Sequence, residues 1–394
     1  MSFNLVQAYA RAPMVFERGE GSWLFDTQGE KWLDAGAGIA VNVLGHADPR
    51  LVRVLTEQAG RLWHTSNLYR IAEQERLAQA LTERTFAASV FFTNSGTEAC
   101  EAAVKMARRY WHIKGSPERN EIITLNASFH GRSLGMISAA GGEKLIDGFS
   151  PLLPGFRRVD ANDSDAVAEA VDANTAAIMV EPVLGEGGIL PLEDWYLAGL
   201  RELCDRTGCL LILDEIQCGM GRTGKLFAHE WTGIEPDIMA IAKGIGGGFP
   251  LGACLAKAHA AEGISPGTHG STYGGNPLAC RIGREVLDIV AEPEFLADVR
   301  EKAGRLRQRL EAVVATRPDI FTEIRGSGLM LGLVCKVPGS DVIEAGYRRN
   351  LLTVPASGNV VRILPPLTAT PDELDEVCLR LDSAAAEIEA GSHA

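Results

Sequence analysis

Nowhere in this sequence do 18 apolar residues follow one another, and the opening MSFNLVQAYARAP lacks a basic stretch followed by an apolar one. Neither a membrane span nor a secretory leader is expected, so the chain reads as cytoplasmic. Paired cysteines are missing as well. The eight cysteines are scattered from Cys100 to Cys378 without a C-x-x-C, which in a chain of this size indicates reduced thiols. Positive charge is scarce: 38 basic against 51 acidic residues leave a formal charge of −13. That excludes a general nucleic-acid binder, which needs basic surface to displace counterions. An anionic substrate would have to be captured by individually placed arginines against the overall field. Metal-ligand spacing is absent too, because His229-Glu230 begins H-E-x-x-H and then meets Gly233.

What the sequence does have is ordinary core material and much glycine. Of 394 residues 46% are hydrophobic and 23% charged, enough for two domains. Residues 1–64 read as an arm with a small meander that joins the smaller domain. From about Thr65, short apolar runs alternate with helical ones: strands at 90–93, 122–125, 177–180, 210–213, 238–242 and 253–256, and helices such as Glu98 to Tyr110 and Asp194 to Arg206. Strands this apolar, alternating with helices, predict a large α/β domain over 65–276 with a mostly parallel sheet covered on both faces. Asn276-Pro277 is a helix cap followed by a first-turn proline, and opens a smaller α+β domain over 277–394. Apolar residues from Leu296 to Val313, three and four apart, predict a helix packed on a small sheet rather than a coiled coil. Thr370 and Glu373 form a capping box for the last helix.

Two nucleotide motifs overlap in GMGRTGK. Gly219, Gly221 and Gly224 fit G-x-G-x-x-G, and Gly219 to Lys225 fit the start of a P-loop. Leu226 stands where a P-loop needs Ser or Thr for Mg²⁺, and Glu215 to Cys218 separate the loop from its strand. A phosphotransferase at Gly219 to Lys225 therefore stays a remote alternative.

A second lysine is placed more tellingly. Lys243 ends the apolar run IMAIA and opens onto GIGGG. A lysine desolvated after a buried strand suits covalent catalysis through a Schiff base. With pyridoxal 5′-phosphate it needs an acid for the pyridine nitrogen, a phosphate cradle and a flat group against the ring. Asp214 ends its strand at the carboxyl edge of the expected sheet, where parallel sheets bind ligands. Ser95-Gly96-Thr97 opens a helix whose free N–H groups suit a phosphate, and Phe129 follows another strand. Each has a plainer reading, as a cap or a core residue. Their convergence on one sheet edge is better explained by one binding site.

The segments SGTEA (95–99), FHGR (129–132), EPVLGEGG (181–188), LDEIQCGMGRTG (213–224), IAKGIGGGFPLGA (241–253) and HGSTYGGNP (269–277) resemble, in order, the motifs of class III (subgroup II) aminotransferases. These are fold-type I pyridoxal-phosphate enzymes with a mostly parallel large-domain sheet and a smaller α+β domain. GIAVNVLGH (38–46) and LWHTSNLY (62–69) look most like the branch acting on acetylornithine. The resemblance implies Lys243 as the Schiff-base residue, Asp214 on the pyridine nitrogen, Gln217 near the phenolic oxygen, and Phe129 on the ring. It implies Ser95, Gly96 and Thr97 at the phosphate, with Thr272 reaching it from the second subunit of a homodimer. For substrate it implies Arg132 on the carboxylate of the acetylated amino acid, Ser271 nearby, Arg362 on the α-carboxylate of glutamate or 2-oxoglutarate, and Glu186 as a movable cover on Arg362. Donors such as ornithine, succinylornithine, N-succinyl-diaminopimelate and 4-aminobutyrate stay open, as does a non-catalytic binding protein on the same fold. Ala47-Asp48 where the family often has Cys-His, and Leu184 where it often has Gln, are departures.

Overall fold

The computed structural model describes residues 4–140 and 142–392. At its centre a seven-stranded sheet runs, edge to edge, Ser89–Thr93, Gly252–Ala256, Ile238–Ile241, Leu210–Asp214, Thr175–Val180, Glu121–Leu125, Phe156–Val159. Side-chain alternation explains why both faces are covered. Leu210 and Ile212 pack with the helix Gly96–Ile113. Leu211 and Leu213 turn the other way, onto Leu197, Leu200 and Cys204 of the helix Asp194–Thr207.

All strands of this sheet are parallel except Gly252–Ala256, which is antiparallel to both neighbours. The connection from Ile241 to Gly252 is too short for a parallel crossover, which takes about a dozen or more residues, usually with a helix. The edge strand Phe156–Val159 was not among the expected ones. Its sequence FRRV carries two arginines, tolerable because only one neighbour pairs with it.

The chain's two ends interlock. The meander Phe16–Glu20, Trp23–Asp26 and Lys31–Asp34 takes Leu351–Leu352 as a fourth, parallel strand. Glu373 of the last helix, Pro371–Ser392, accepts hydrogen bonds from Ser22 Oγ at 2.9 Å and Trp23 Nε1 at 2.6 Å. Its other bonds complete the expected box with Thr370. A second antiparallel sheet runs Phe321–Ser327, Met330–Cys335, Val360–Ile363, Val354–Ala356. The helix Pro293–Thr316 buries Val299, Leu306 and Leu310 and packs on the Phe321–Ser327 strand and the last helix.

The two departures have local explanations. Asp48 caps the helix Pro49–Ala59, accepting the Arg50 N–H at 2.9 Å and pairing with the Arg50 guanidinium at 2.6 Å. Leu184 is fully buried with Val180 and Leu213, so an apolar side chain completes the core there.

Candidate active site

The carboxyl edge of the sheet opens into a cavity of about 380 Å³. Ser95, Gly96, Thr97, Phe129, Asp214, Gln217 and Lys243 all line it, although they come from four separate strand ends. Thr272 and Ser271 do not line it: Thr272 is exposed, and Ser271 lies in a neighbouring hollow with Asn67 and His269. Arg132 is exposed near the mouth, its guanidinium carbon 5.4 Å from the Phe129 ring centroid.

Asp214 is 3% exposed and firmly held. Its Oδ2 accepts from His130 Nδ1 at 2.8 Å and the Cys100 thiol at 3.3 Å, while Oδ1 accepts the Ile216 N–H at 3.0 Å. Burial alone would push His130 down, but the hydrogen bond and charge of Asp214 outweigh it and raise the imidazole. Glu181, also buried, accepts N–H groups from Phe129 at 2.8 Å and Gly185 at 3.1 Å. Burial first, and then the nearby Asp214 charge, push its carboxyl up to about 7. Neither His130 nor Glu181 stands out among the candidate site residues of the sequence. Nothing local signals their partners, since His130 and Asp214 lie 84 positions apart.

Lys243 begins a short 3₁₀ turn with a left-handed φ of 46°. A non-glycine residue held there is strained, a condition that persists where surrounding structure over-determines it. The glycines after it explain how. A Cβ on Gly244 would sit 2.9 Å from Met220 and Val43, and one on Gly247 would sit 2.8 Å from Leu51. These glycines let the turn sink into the core, and of the four only Gly248 faces the cavity. Burial pushes the Lys243 amine below the usual lysine range; Arg362 adds to this, and Glu186, Asp214 and Glu181 oppose it.

Arg362 is 2% exposed and sits on the strand Val360–Ile363. Its Nη1 reaches Glu186 Oε1 at 2.6 Å and Gln217 Oε1 at 3.3 Å, and its Nη2 donates to the Pro355 carbonyl at 2.7 Å. Glu186 is partly exposed, so a buried cation is covered by a carboxylate that still touches solvent.

The helix Gly96–Ile113 supplies an anion cradle. Ser95 Oγ accepts the Glu98 N–H at 3.3 Å as its cap, while the N–H groups of Gly96 and Thr97 find no acceptor among the described residues. Gly131, at φ 135°, is needed because a Cβ there would lie 2.5 Å from Thr97 Oγ1. The GMGRTGK stretch is different. Gly219, Gly221, Arg222 and Gly224 each spend their N–H on a backbone carbonyl, which leaves none of these four for a phosphate.

A strained, desolvated lysine, a rigidly held carboxylate and an anion cradle around one cavity at the edge of this sheet define a fold-type I transferase site. The chain belongs to the class-III aminotransferases, whose family model matches residues 6–385. It is similar to the acetylornithine aminotransferase of Rhodobacter capsulatus, 61% identical over 99% of both chains. That of Mesorhizobium japonicum is 55% identical over 97% of this chain and 96% of its own. Among solved structures, the N-acetylornithine aminotransferase of Stenotrophomonas maltophilia is 40% identical with a TM-score of 0.85, covering 97% of this chain and 98% of that one. The ornithine aminotransferase of Toxoplasma gondii is 32% identical with a TM-score of 0.95, covering 98% and 94%.

Proposed function

We propose that this enzyme moves the δ-amino group of N-acetylornithine to 2-oxoglutarate, yielding N-acetylglutamate 5-semialdehyde and glutamate, with pyridoxal 5′-phosphate as cofactor. The observation that carries the two-substrate reading is the Arg362–Glu186 pair at 2.6 Å, joined to the cavity through Gln217. A buried arginine is costly when unpaired and strong when it meets a carboxylate in two-pronged fashion. Glu186 neutralises it while the amine donor reacts, and a dicarboxylate displaces Glu186 to take its place. The acyl-ornithine donor is supported by the names of the relatives that share most of this sequence.

The residues present fit the cofactor. Asp214 would hold the proton of the ring nitrogen, Phe129 would cover a ring face, and Gln217 would meet the phenolic oxygen. The open N–H groups of Gly96 and Thr97, with the Ser95 and Thr97 hydroxyls, would take the phosphate. When bound, the cofactor supplies an electron sink that makes a hydrogen on the amine-bearing carbon acidic. Lys243, its amine depressed by burial, is the base that takes this proton at the donor's δ-carbon. Arg132 orients the donor's carboxylate from the mouth of the cavity. The exposed Thr272 completes the phosphate site of a second subunit, and Ser271 lies toward the substrate, making the working form a cytoplasmic homodimer with shared sites.

The test is the visible spectrum of the purified holoenzyme before and after N-acetylornithine, without keto acid, followed by kinetics across the rival amines. Conversion of the yellow band to the pyridoxamine form supports the reading. An unchanged yellow band, or a preference for free ornithine, overturns the donor assignment.

A further inference from the structure

The turn that imitates a P-loop carries a fully buried cation. Arg222 has no exposed surface, and no carboxylate pairs with it among the described residues. Its Nε and Nη2 find no partner, and burial pushes the guanidinium down to about 9. A charge kept under such conditions demands a reason, because an apolar residue of similar size is often at least as stabilising in such a place.

The reason lies in where its Nη1 points. One hydrogen bond goes to the Pro365 carbonyl at 2.5 Å, three residues beyond Arg362, and the other to the Leu329 carbonyl at 3.2 Å. Leu329 directly precedes the strand Met330–Cys335, in which Gly332 pairs with Arg362. Leu329 also returns a backbone N–H to the Arg222 carbonyl at 2.9 Å. The approach is so close that a Cβ on Gly328 would stand 2.4 Å from Thr223 Cα. On its other side the turn continues directly from Gln217, which lines the cavity and accepts from Arg362. One guanidinium thus spans from the cofactor loop to both strands that set the height of Arg362. Both bonds leave the single nitrogen Nη1, so a lysine ammonium can replace them in part.

We propose that Arg222 is a positioning residue for the dicarboxylate substrate: it fixes the strand bearing Arg362 against the Asp214–Gln217 loop. It acts through Arg362 and touches neither cofactor nor substrate. The inference rests on the reading of Arg362 as the receiver of the dicarboxylate's α-carboxylate, and it predicts a selective loss. A general weakening of the fold would slow both half-reactions alike.

The experiment measures glutarate binding to the holoenzyme by calorimetry, and each half-reaction separately by rapid-mixing absorbance. For Arg222→Met, glutarate affinity and the 2-oxoglutarate half-reaction fall by about tenfold or more, while the amine half-reaction changes by less than about threefold. Arg222→Lys, retaining the charge, recovers part of the loss and shows a deficit of about threefold. If Arg222→Met does not fold, the same split in Arg222→Lys decides the matter. Equal losses in both half-reactions, or unchanged glutarate affinity, overturn the proposal. Arg362→Ala is measured beside them. If it leaves glutarate binding intact, the dicarboxylate reading falls and takes this inference with it. If Arg362→Ala abolishes binding and the Arg222 variants do not, the inference alone falls.

Discussion

Two glycine-rich stretches, each containing a lysine, lie within 35 residues of each other and have opposite fates. In GMGRTGK the glycine amides are consumed by nearby carbonyls, and Lys225 lies over the Trp231 ring at 5.2 Å. In KGIGGG the glycines let the backbone sink against Val43, Met220 and Leu51, leaving Lys243 strained and facing a cavity. The first stretch matches a famous pattern, yet its glycine amides are already taken. The second matches no phosphate motif and holds the lysine that lines the cavity. What separates them is what tertiary packing sets beside each lysine, a ring in one case and a cavity in the other, and spacing alone does not reveal that.

The contrast is open to direct attack. Lys243→Ala should lower turnover by about a thousandfold or more, since it removes the proposed nucleophile and base. Steady-state transamination measures this, and a loss under tenfold would move the chemistry elsewhere. Gly328→Ala drives a Cβ into the Arg222–Thr223 backbone at φ 60°, and should destabilise by about 2–4 kcal/mol. Gly244→Ala, which meets only side chains, should cost about 1–3 kcal/mol. Thermal unfolding of the two variants ranks the glycine turns by how far each can give.

A pH series sharpens the cavity side of the comparison. The Glu181 carboxyl is raised from the ordinary 4.5 to about 7. A carboxyl raised on folding stabilises fully below the unfolded value, and that contribution is lost as pH rises through the folded one. Apo-protein stability should therefore fall between pH 4.5 and 7 by about 1–3 kcal/mol from this group, and Glu181→Gln should flatten the decline. An identical pH profile in the variant would assign the decline to other groups. Smallest of all, Lys225→Ala should cost about 0.5 kcal/mol through its lost ring contact and leave kcat/KM within about twofold. A large activity loss there would revive the phosphate reading.

The fold was most legible where its signals are local. The helix Pro277–Val290 begins at its Asn276 cap as expected, because cap and first-turn proline act over a few residues. The box of Thr370 and Glu373 formed for the same reason. Direction and edge position were not legible: the apolar run Gly252–Ala256 looks the same in either orientation, and Phe156–Val159 is polar because it lies at the edge. In the site, the lining residues with strand-end positions could be foreseen. The partnerships that hold them could not, since His130, Glu181 and Cys100 reach Asp214 or its neighbours only through tertiary packing.

The pairing of Leu351–Leu352 with Lys31–Asp34 has a consequence for how the molecule is made. Strands synthesised among the first wait for a partner synthesised among the last, and Ser22 and Trp23 wait longer still for Glu373. During translation the central sheet can gather its strands in turn, while the opening meander has one edge unmatched until the chain is nearly finished. Contacts between such distant segments are slow to form. The clasp between the two termini therefore closes late in synthesis. The same clasp closes the segment that carries Arg362 over the cavity: Leu364 donates to the Ala35 carbonyl and Leu367 to that of Val43. The proposed dicarboxylate receiver is thus anchored to the opening segment by residues that are synthesised late.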